Sequence, residues 1–404
     1  MKILFDENMP YAKEFFSEFC IADDLIPFSG RNLTAAQVND AEVLLVRSIT
    51  QVNEALLKDN NKLSFVGTAT IGMDHIDQDY LAKRNIAFHS APGCNAISVA
   101  EYVISSLVVL AERYLLELTK LTVGIVGGGN TGTRLSEKLT ALGIKYKICD
   151  PLLAQSKNDT RDFVSLDEVL QCDVISLHVP KIVEGDYPTY HLLNKARLNK
   201  LTEQQILIST CRGEVIDNQA LLALKQQGHG LKVVLDVWEG EPEVLTPLID
   251  YTEIATAHIA GYSLEGKSRG TEMLYQALCQ HLEKRENISS YLEKSLEKNL
   301  QKASKEESTK TLQCKLSDLL PTASISSVEL KQEFNDVMLN QLVKMVYDVR
   351  RDDAIFRQQL SSQGFDNLRK NYPVRREFSA VQVTLLPNAL SDVPHRLGFS
   401  KNHT

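Results

Sequence analysis

The feature that most constrains the fold is a glycine-rich turn between an apolar run and a helical pattern. The stretch LTVGIVGGGNTGTRLSEKL places Gly127, Gly129 and Gly132 in the spacing G-x-G-x-x-G, directly after the strand-like run TVGIV. A second strand-like run, KYKIC, follows and leads directly into Asp150, 18 residues after Gly132. The motif alone would be a weak signal, but strand, glycine turn, helix, strand and acid in this order predict a βαβ unit that binds a dinucleotide.

Each part of this turn has a physical task. The first glycine makes the tight turn, the second lets backbone N–H groups approach a pyrophosphate, and the third lets the helix pack on its strand. The helix N-terminus supplies partial positive charge to the phosphates. The predicted phosphate-binding residues are Gly127, Gly129, Asn130, Thr131 and Gly132. Asp150 would accept hydrogen bonds from the adenosine ribose and repel a 2′-phosphate, which favours NAD over NADP. A glycine turn followed by a merely solvated aspartate explains fewer of these features.

Short apolar runs recur along the chain on both sides of one long helical segment at 96–118. The runs KILF, EVLLV, SFVGTA and NIAFH precede it, and LTVGIVG, KYKICD, DVISLHV, ILIST, KVVLDV and EIATAHI follow it. Continuous apolar runs of this length are typical of strands that are buried on both faces of a parallel sheet. The sequence therefore predicts an α/β protein with two Rossmann-like parallel-sheet domains.

The composition changes after about residue 285. The stretch YLEKSLEKNLQKASKEESTK is charged and predicts a solvated helix or a linker. Beyond it, Ser326 and Glu329 form a capping-box pattern, and the run RREFSAVQVTLL predicts a strand. Apolar residues recur at helical spacing at Leu330, Phe334, Val337, Met338, Leu342, Met345 and Val346. This stripe predicts core or a subunit interface in an added α+β C-terminal unit.

Length and composition exclude several classes of protein. A chain of 404 residues should hold two or three domains, and its net charge of −8 argues against a nucleic-acid partner. The segment 96–118 is interrupted by Glu101, Glu112 and Arg113, so we predict a core helix and no membrane span. Seven cysteines without a C-x-x-C pair predict reduced, mostly buried thiols of the cytosol. We predict no metal site.

Three ionisable side chains follow consecutive strand-like runs. Arg212 follows ILIST, Glu241 lies in LDVWEGEPE after KVVLDV, and His258 follows EIATA. The carboxyl ends of parallel strands face one crevice, where ligands bind. An arginine can clamp a carboxylate, a histidine can exchange a proton near neutral pH, and a neighbouring carboxylate stabilises the imidazolium. Singly, each residue is more often structural; together they predict the catalytic group of an enzyme that oxidises a 2-hydroxy acid.

Residues close to Arg212, Glu241 and His258 in the sequence are predicted to have roles other than catalysis. Asp236 is a candidate to contact the nicotinamide end of the cofactor, and Trp238 is predicted to be a packing residue. Glu239 and Glu243 are predicted to be solvated loop charges. His178 is predicted to lie at a strand end beside the cofactor.

Taken together, these motifs resemble the D-2-hydroxyacid dehydrogenase family over about residues 1–285. The segments KILFDENMPYA, VRSIT, GTATIGMDHID and HIAGYSLEGKSRGT, with the C-terminal unit, are similar to the branch that oxidises 4-phospho-D-erythronate in pyridoxal 5′-phosphate (vitamin B6) biosynthesis. The resemblance implies a cytoplasmic, NAD-dependent oxidoreductase. It also implies a flavodoxin-like substrate-binding domain at 1–95 and 260–285, an NAD-binding Rossmann domain at 96–259, and a C-terminal domain at 286–404 for homodimerisation. A hinge near 96 and 260 would close over the substrate.

The resemblance further implies individual site residues. It assigns catalysis to Arg212, Glu241 and His258. For NAD it indicates Asp150, Val179, Thr210, Cys211, Arg212, Asp236 and Gly261, and for substrate Ser48, Thr70 and Tyr262. The sequence departs from the family pattern beside Thr70, where larger residues stand, and at Val179, which can offer only backbone and apolar contacts.

Two alternatives stay open. A dehydrogenase for another 2-hydroxy acid, such as phosphoglycerate, would often carry a compact βαββαβ regulatory domain, whereas this tail begins with a charged stretch and an amphipathic helix. A non-catalytic, NAD-sensing interaction protein could share the fold, because fold alone does not determine function. Such a protein need not keep the arginine, the glutamate and the histidine together.

Overall fold

The computed structural model describes residues 1–20, 22–284, 315–386 and 391–401. The chain divides into two compact units, one formed by 1–95 and 264–321 and the other by 96–263 and 322–404. The stretch at 291–310, for which we predicted a solvated helix or a linker, lies outside the described residues.

The helices are distributed over both units. The described α-helices are α1 (Ala12–Phe16), α2 (Ala35–Val38), α3 (Glu54–Leu57), α4 (Gln78–Lys83), α5 (Ala96–Tyr114), α6 (Asn130–Ala141), α7 (Pro151–Ala154), α8 (Leu166–Val169), α9 (Lys195–Leu198), α10 (Asn218–Gln226), α11 (Thr246–Ile249), α12 (Leu264–Lys284), α13 (Leu316–Leu319), α14 (Asp336–Val346), α15 (Val349–Gln363), α16 (Phe365–Lys370) and α17 (Val393–Leu397). Short 3₁₀ turns occupy Ser17–Phe19, Ala22–Asp24, Gly30–Asn32, Leu118–Lys120, Gly213–Val215 and Phe378–Ala380.

The first unit is built on a five-stranded parallel sheet. Its strands are β1 (Ile3–Asp6), β2 (Leu25–Phe28), β3 (Val43–Val46), β4 (Phe65–Thr68) and β5 (Ala87–His89), in the order β2-β1-β3-β4-β5. Strands β1, β3 and β4 are buried along their whole length, as their continuous apolar runs predicted. Strand β2 was absent from the predicted strands because its run LIPF contains Pro27, and it is a partly exposed edge strand.

Helix α12 belongs to this first unit. Its residues Leu274 and Leu278 are buried in one core with Phe15 and Phe16 of α1. A Cβ atom on Gly67 of β4 would lie 3.0 Å from the Leu274 side chain. The missing side chain at this position therefore lets the helix pack closely on the sheet.

The second unit contains a six-stranded parallel sheet. Its strands are β6 (Thr122–Val126), β7 (Lys145–Cys149), β8 (Val174–Leu177), β9 (Ile206–Ser209), β10 (Lys232–Leu235) and β11 (Ile254–Ala255), in the order β11-β10-β9-β8-β6-β7. Helix α5 is buried over most of its length, as predicted for a core helix. Within the described part of the chain, no helix has the length and apolarity needed to cross a bilayer. Two parallel-sheet α/β units confirm the predicted fold class.

The residues from 322 onward belong to the second compact unit. Two short parallel strands, β12 (Ser327–Glu329) and β13 (Gln382–Thr384), pair there, and Met338 and Leu342 of α14 share a hydrophobic core with α5. The apolar stripe of α14 is thus largely core, while Val337 is 66% exposed. The predicted domain boundaries, including a separate domain at 286–404, stay a prediction.

The predicted capping box at Ser326 was wrong. Residues 327–329 form β12, and α14 begins at Asp336, where Asn335 accepts a hydrogen bond from the Met338 N–H at 3.0 Å. Pairing of β12 with β13 supplies hydrogen-bond partners that a local pattern does not reveal. The strand predicted for RREFSAVQVTLL is correspondingly short and covers only Gln382–Thr384.

Candidate active site

The residues predicted for catalysis lie at one edge of the six-stranded sheet. Arg212 comes three residues after β9 ends, and Glu241 and His258 lie in the loops that follow β10 and β11. Because these strands are parallel neighbours, their carboxyl ends meet at the same edge. The sequence prediction that these loops share an edge is therefore correct.

His258 and Glu241 form a direct pair. Nδ1 of His258 lies 2.7 Å from Oε2 of Glu241, and Oε1 accepts the backbone N–H of Trp238 at 2.8 Å. Burial alone would raise the pKa of Glu241, but the charge and hydrogen bond of His258 and the Trp238 N–H outweigh it and hold that pKa below its usual range. The carboxylate is therefore ionised at neutral pH and orients the imidazole through Nδ1, so Nε2 is the ring atom that can exchange a proton with a ligand.

Asp236 holds the backbone that carries His258. The carboxylate is buried, and its oxygens accept the Thr256 hydroxyl at 2.6 Å, the Ile259 N–H at 2.8 Å and the Ala260 N–H at 2.9 Å. His258 has a φ of 54°, which is uncommon outside glycine and persists only where surrounding contacts enforce it. Asp236 thus supports the loop that carries His258, and its contact with the nicotinamide end stays a prediction.

Trp238 is a packing residue, as predicted. It is buried, its indole N–H donates to the Thr256 carbonyl at 2.8 Å, and its ring stacks on Phe356 at 5.5 Å. A Cβ atom on Gly213 would lie 1.9 Å from the Trp238 carbonyl carbon. The glycine after Arg212 therefore lets the two active-site loops touch through their backbones.

Glu239 is not the solvated charge that we predicted. One of its oxygens lies 2.6 Å from His191 Nε2, and the other accepts the Asn218 N–H at 3.2 Å. His191, Asp217 and Glu239 bring three ligand-type atoms within 4.8 Å of one another. Because Asp217 also caps α10 through the Ala220 N–H at 2.9 Å, hydrogen bonds within the protein account for this cluster. Glu243 is exposed, as predicted.

The glycine turn has the geometry of a phosphate cradle. Gly127 has a φ of 98°, and a Cβ atom on Gly132 would lie 2.0 Å from the Gly127 carbonyl oxygen, so both positions require glycine. A Cβ atom on Gly129 would meet open space, which leaves the backbone there accessible to a ligand. Helix α6 begins at Asn130 and directs its N-terminus to the same place.

Asp150 lies beside this turn. Its Oδ2 accepts the Gly128 N–H at 2.9 Å, and its Oδ1 caps α7 through the Leu153 N–H at 3.0 Å. Each oxygen keeps capacity for one further hydrogen bond, as a ribose contact requires. The carboxylate is therefore held by the backbone at the end of β7, where the sequence predicted a ribose partner.

His178 and Val179 lie against the glycine turn. A Cβ atom on Gly127 would lie 2.7 Å from the His178 carbonyl oxygen and 3.0 Å from the Val179 side chain. The His178 ring lies 2.8 Å from Ser176 Oγ and 3.3 Å from Thr210 Oγ1, and burial lowers its pKa to about 3. The imidazole is therefore neutral at working pH. Val179 thus lies against the glycine turn, and the roles of Val179 and Thr210 in NAD binding stay predictions.

The other residues assigned to NAD lie nearby in sequence. Cys211 is buried, and burial raises the pKa of its thiol, so it is a neutral packing group. Arg212 is half-buried, and its Nη1 donates to the Cys211 carbonyl at 2.9 Å. Gly261 is half-buried in the loop after β11. The six described cysteines are free thiols, five of them buried, while Cys314 lies outside the described residues.

The three predicted substrate residues fall in different units. Ser48 is exposed just after β3, and Thr70 follows β4, where its hydroxyl donates to the Gly72 carbonyl at 3.0 Å; both belong to the first unit. Tyr262 belongs to the second unit, four residues after His258. Its hydroxyl accepts a hydrogen bond from Arg369 Nη2 at 2.9 Å. Nothing local in the sequence marks Arg369, which lies 107 residues further along the chain.

Comparison with known proteins identifies relatives of this chain. Residues 107–260 match the family described as D-isomer specific 2-hydroxyacid dehydrogenase, NAD binding domain, and residues 319–398 match a domain of unknown function. The erythronate-4-phosphate dehydrogenase of Colwellia psychrerythraea is 66% identical, with 100% of each chain covered. The erythronate-4-phosphate dehydrogenase of Tolumonas auensis is 49% identical, with 99% of each chain covered.

Solved structures show the same fold. The D-lactate dehydrogenase of Aquifex aeolicus, complexed with NAD and lactic acid, has a TM-score of 0.58 and 27% identity, over 72% of this chain and 98% of that chain. The NAD-bound 3-phosphoglycerate dehydrogenase of Entamoeba histolytica has a TM-score of 0.57 at 23% identity, over 69% of this chain and 94% of that chain, and shows likeness of fold alone.

Proposed function

This chain belongs to the erythronate-4-phosphate dehydrogenase family, and from that membership we propose that it oxidises 4-phospho-D-erythronate at C2 with NAD. The product is (3R)-3-hydroxy-2-oxo-4-phosphooxybutanoate, in the biosynthesis of pyridoxal 5′-phosphate. The observation that carries this proposal is the 2.7 Å pair of His258 and Glu241, on the sheet edge that also carries the glycine turn. An ionised carboxylate that contacts Nδ1 orients the imidazole and stabilises its protonated form, so the histidine can accept a proton at Nε2.

Each catalytic side chain then has one task. Arg212 grips the C1 carboxylate and polarises the C2 oxygen. His258 takes the proton of the C2 hydroxyl at Nε2, and Glu241 stabilises the imidazolium that forms. The glycine turn, Asp150, Val179 and Thr210 would hold NAD, which would accept the C2 hydrogen with its electron pair, as a hydride. Ser48, Thr70 and Tyr262 are assigned to the substrate, whose hydroxyl and phosphate oxygens such donors suit.

The assembly and location complete the proposal. We assign the chain to the cytoplasm and propose a homodimer formed through its C-terminal segment. Three apolar side chains of that segment are exposed, with Ile325 at 47%, Val337 at 66% and Val374 at 71%. Large apolar side chains that are left exposed in this segment are candidates to be covered by a second copy of the chain.

The two alternatives differ from this proposal in testable ways. The described part of 322–404 contains the two-stranded sheet of β12 and β13 and a series of helices, which is unlike the βαββαβ domain expected of a phosphoglycerate dehydrogenase. The deciding experiment mixes purified protein and NAD with phosphorylated and plain 2-hydroxy acids and follows the absorbance of reduced cofactor. Turnover confined to phosphoglycerate would overturn the substrate assignment, and NAD binding without any turnover would favour a sensor.

Substitution of Glu241 by glutamine is expected to move the pH dependence of oxidation to lower pH. Because Glu241 has a lowered pKa, it is ionised throughout a pH 5.5–9 assay and is not itself the titrating group. Without its charge the imidazolium that forms at His258 loses stabilisation, so the pH at which the rate rises should fall. We also expect kcat to fall roughly 10- to 100-fold, because the developing imidazolium is less stable. A kcat/KM profile unchanged in pH would contradict this role for Glu241.

Substitution of Asp150 by asparagine is expected to weaken the preference for NAD. The change keeps a side chain that can cap α7 but removes the charge that would repel a 2′-phosphate. A hydrogen bond to a charged group is worth about 1.5–3 kcal/mol, so we expect the ratio of kcat/KM for NAD over NADP to fall roughly 10- to 100-fold. This ratio is measured side by side for the wild type and the variant, with saturating substrate. An unaltered ratio would remove Asp150 from the ribose site.

A further inference from the structure

Two buried charged side chains of the C-terminal segment contact the loop that carries His258. Arg375 and Glu377 stand between α16 and the 3₁₀ turn Phe378–Ala380, and they are 2% and 0% exposed. Buried charges cost free energy because they lose their water, and apolar side chains of similar volume often stabilise a fold as well or better. Charged groups add directional hydrogen bonds, so the partners of these two side chains indicate their role.

The guanidinium of Arg375 joins two backbone segments that are far apart in the sequence. Its Nη1 donates to the Ala260 carbonyl at 2.9 Å, and its Nη2 donates to the Ser98 carbonyl at 2.5 Å. The guanidinium carbon lies 3.6 Å from the centre of the Tyr347 ring, and this stacking fixes the plane of the two donors. Arg375 thus holds the start of α5 and the loop after β11 in one arrangement.

Glu377 ties the same two segments together through their side chains. Its Oε1 accepts the Ser98 hydroxyl at 2.8 Å and the Ser263 hydroxyl at 2.9 Å. The backbone of Ser263 also pairs with that of Arg375 in a parallel β-bridge. We call Arg375 and Glu377 the clasp, because each of them contacts both segments.

The clasped segments are the places where the chain passes between the two compact units. The chain first enters the second unit at Ala96 and leaves it after Ser263. Ser98 and Ser263 therefore stand near the two ends of one continuous stretch, and the clasp joins these ends within the second unit. The stretch that is closed in this way contains the glycine turn and all three proposed catalytic side chains.

The clasp completes the support of the backbone that carries His258. The buried Asp236 carboxylate accepts the N–H groups of Ile259 and Ala260 at 2.8 and 2.9 Å. Arg375 binds the carbonyl of Ala260, so this residue is held at its N–H by Asp236 and at its C=O by the clasp. Ala260 comes two residues after His258, whose φ of 54° persists only where surrounding contacts enforce it.

We propose that Arg375 and Glu377 are positioning residues of the dehydrogenase site. They hold the chain after Ala260 against the start of α5, so that His258 keeps the backbone conformation in which it pairs with Glu241. The inference rests on the proposed role of His258 as proton acceptor. It deepens that function, because it gives the C-terminal segment a part in the geometry of the site in addition to the proposed dimer contacts.

The first test compares Arg375→Lys in two backgrounds. Lysine keeps the charge but lacks the rigid fork that binds both carbonyls. A misplacement of about 1 Å at a catalytic group can cost about 10²-fold in rate, so we expect kcat in the wild-type background to fall roughly 10- to 100-fold. In the His258→Asn background the same substitution should lower kcat by less than about threefold, because no imidazole is left to misplace. A loss of equal size in both backgrounds is the result of a merely structural role and overturns the proposal.

Amide hydrogen exchange provides a second readout that does not require turnover. The amides of Ile259 and Ala260 should exchange at least about tenfold faster in Arg375→Lys, while those of the interior strand β8 keep their wild-type rate. Acceleration by the same factor at both places, or at neither, overturns the positioning role.

Two buried serines of α5 supply a matched pair of variants. Ser98→Ala removes a hydroxyl that binds Glu377, whereas Ser106→Ala removes one that donates within the helix, to the Tyr102 carbonyl at 2.9 Å. Only Ser98→Ala should speed exchange at Ala260. Should Arg375→Lys fail to fold, this pair decides, since equal exchange at Ala260 in the two serine variants overturns the proposal.

Failure of this inference and failure of the proposed function give different results. An inactive wild-type protein, or full activity in His258→Asn, would overturn the proposed function and leave the exchange measurement as it is. Unchanged exchange after Ala260 in an active wild-type background would overturn the role of the clasp alone.

Discussion

Replacement of His258 by asparagine is expected to lower kcat for oxidation about 10³-fold, within the range that a positioned general base supplies. Asparagine fills similar space and can still form a hydrogen bond with Glu241, but it cannot accept the C2 hydroxyl proton. The measurement is the steady-state rate of NAD reduction at saturating 4-phospho-D-erythronate. Because this imidazole is the proposed acceptor, the variant should also lose the pH-dependent rise of kcat.

A double substitution provides the control. If His258 and Glu241 act as a unit, Glu241→Gln in the His258→Asn background should cost almost nothing, although alone it costs roughly 10- to 100-fold. Titration of the folded variant with NAD should give a dissociation constant within about threefold of wild type, since the proposed cofactor contacts lie on other loops. If the losses of kcat from the two single substitutions added up in the double variant, His258 would not be the proton acceptor. The same conclusion would follow if the His258→Asn variant lost NAD binding together with its rate.

The parts of the site that sequence could predict are those set by local rules. The glycine spacing determines a turn with no room for side chains at Gly127 and Gly132, and the parallel sheet determines that loops after β9, β10 and β11 share an edge. From those two rules the pairing of His258 with Glu241 follows as an expectation, and the 2.7 Å contact is present.

Contacts between distant segments could not be predicted in this way. Arg369 reaches Tyr262 because α16 packs behind Trp238, and no periodicity around residue 369 encodes that packing. The capping-box pattern at Ser326 was overridden by pairing with a strand more than 50 residues later. Glu239 looked like a loop charge because its partner, His191, lies 48 residues away. Local sequence patterns therefore predicted which side chains take part in the proposed chemistry. The contacts that support those side chains depend on tertiary packing and could not be predicted from local patterns.

Replacement of Arg212 by alanine is expected to lower kcat/KM by about 10³- to 10⁴-fold. A guanidinium can hold a carboxylate through two parallel charge-assisted hydrogen bonds, each worth about 1.5–3 kcal/mol, and the two together correspond to this loss. Arg212→Lys keeps the charge without the fork and should recover only part of the activity. The fold should tolerate the change, because Arg212 is half-buried.

A substrate analogue makes the assignment of Arg212 specific to the carboxylate. An analogue of 4-phospho-D-erythronate in which an uncharged amide replaces the C1 carboxylate should be a poor substrate for wild type, and Arg212→Ala should lower its kcat/KM by less than about tenfold. If Arg212 instead gripped the 4-phosphate, the variant would lose as much activity on the amide as on the acid. Added guanidinium ion should partly restore oxidation of the acid by Arg212→Ala, because it replaces the missing fork without rebuilding the chain. Equal losses on both substrates, with no recovery, would place the arginine outside the carboxylate site and leave His258 without the neighbour that orients C2.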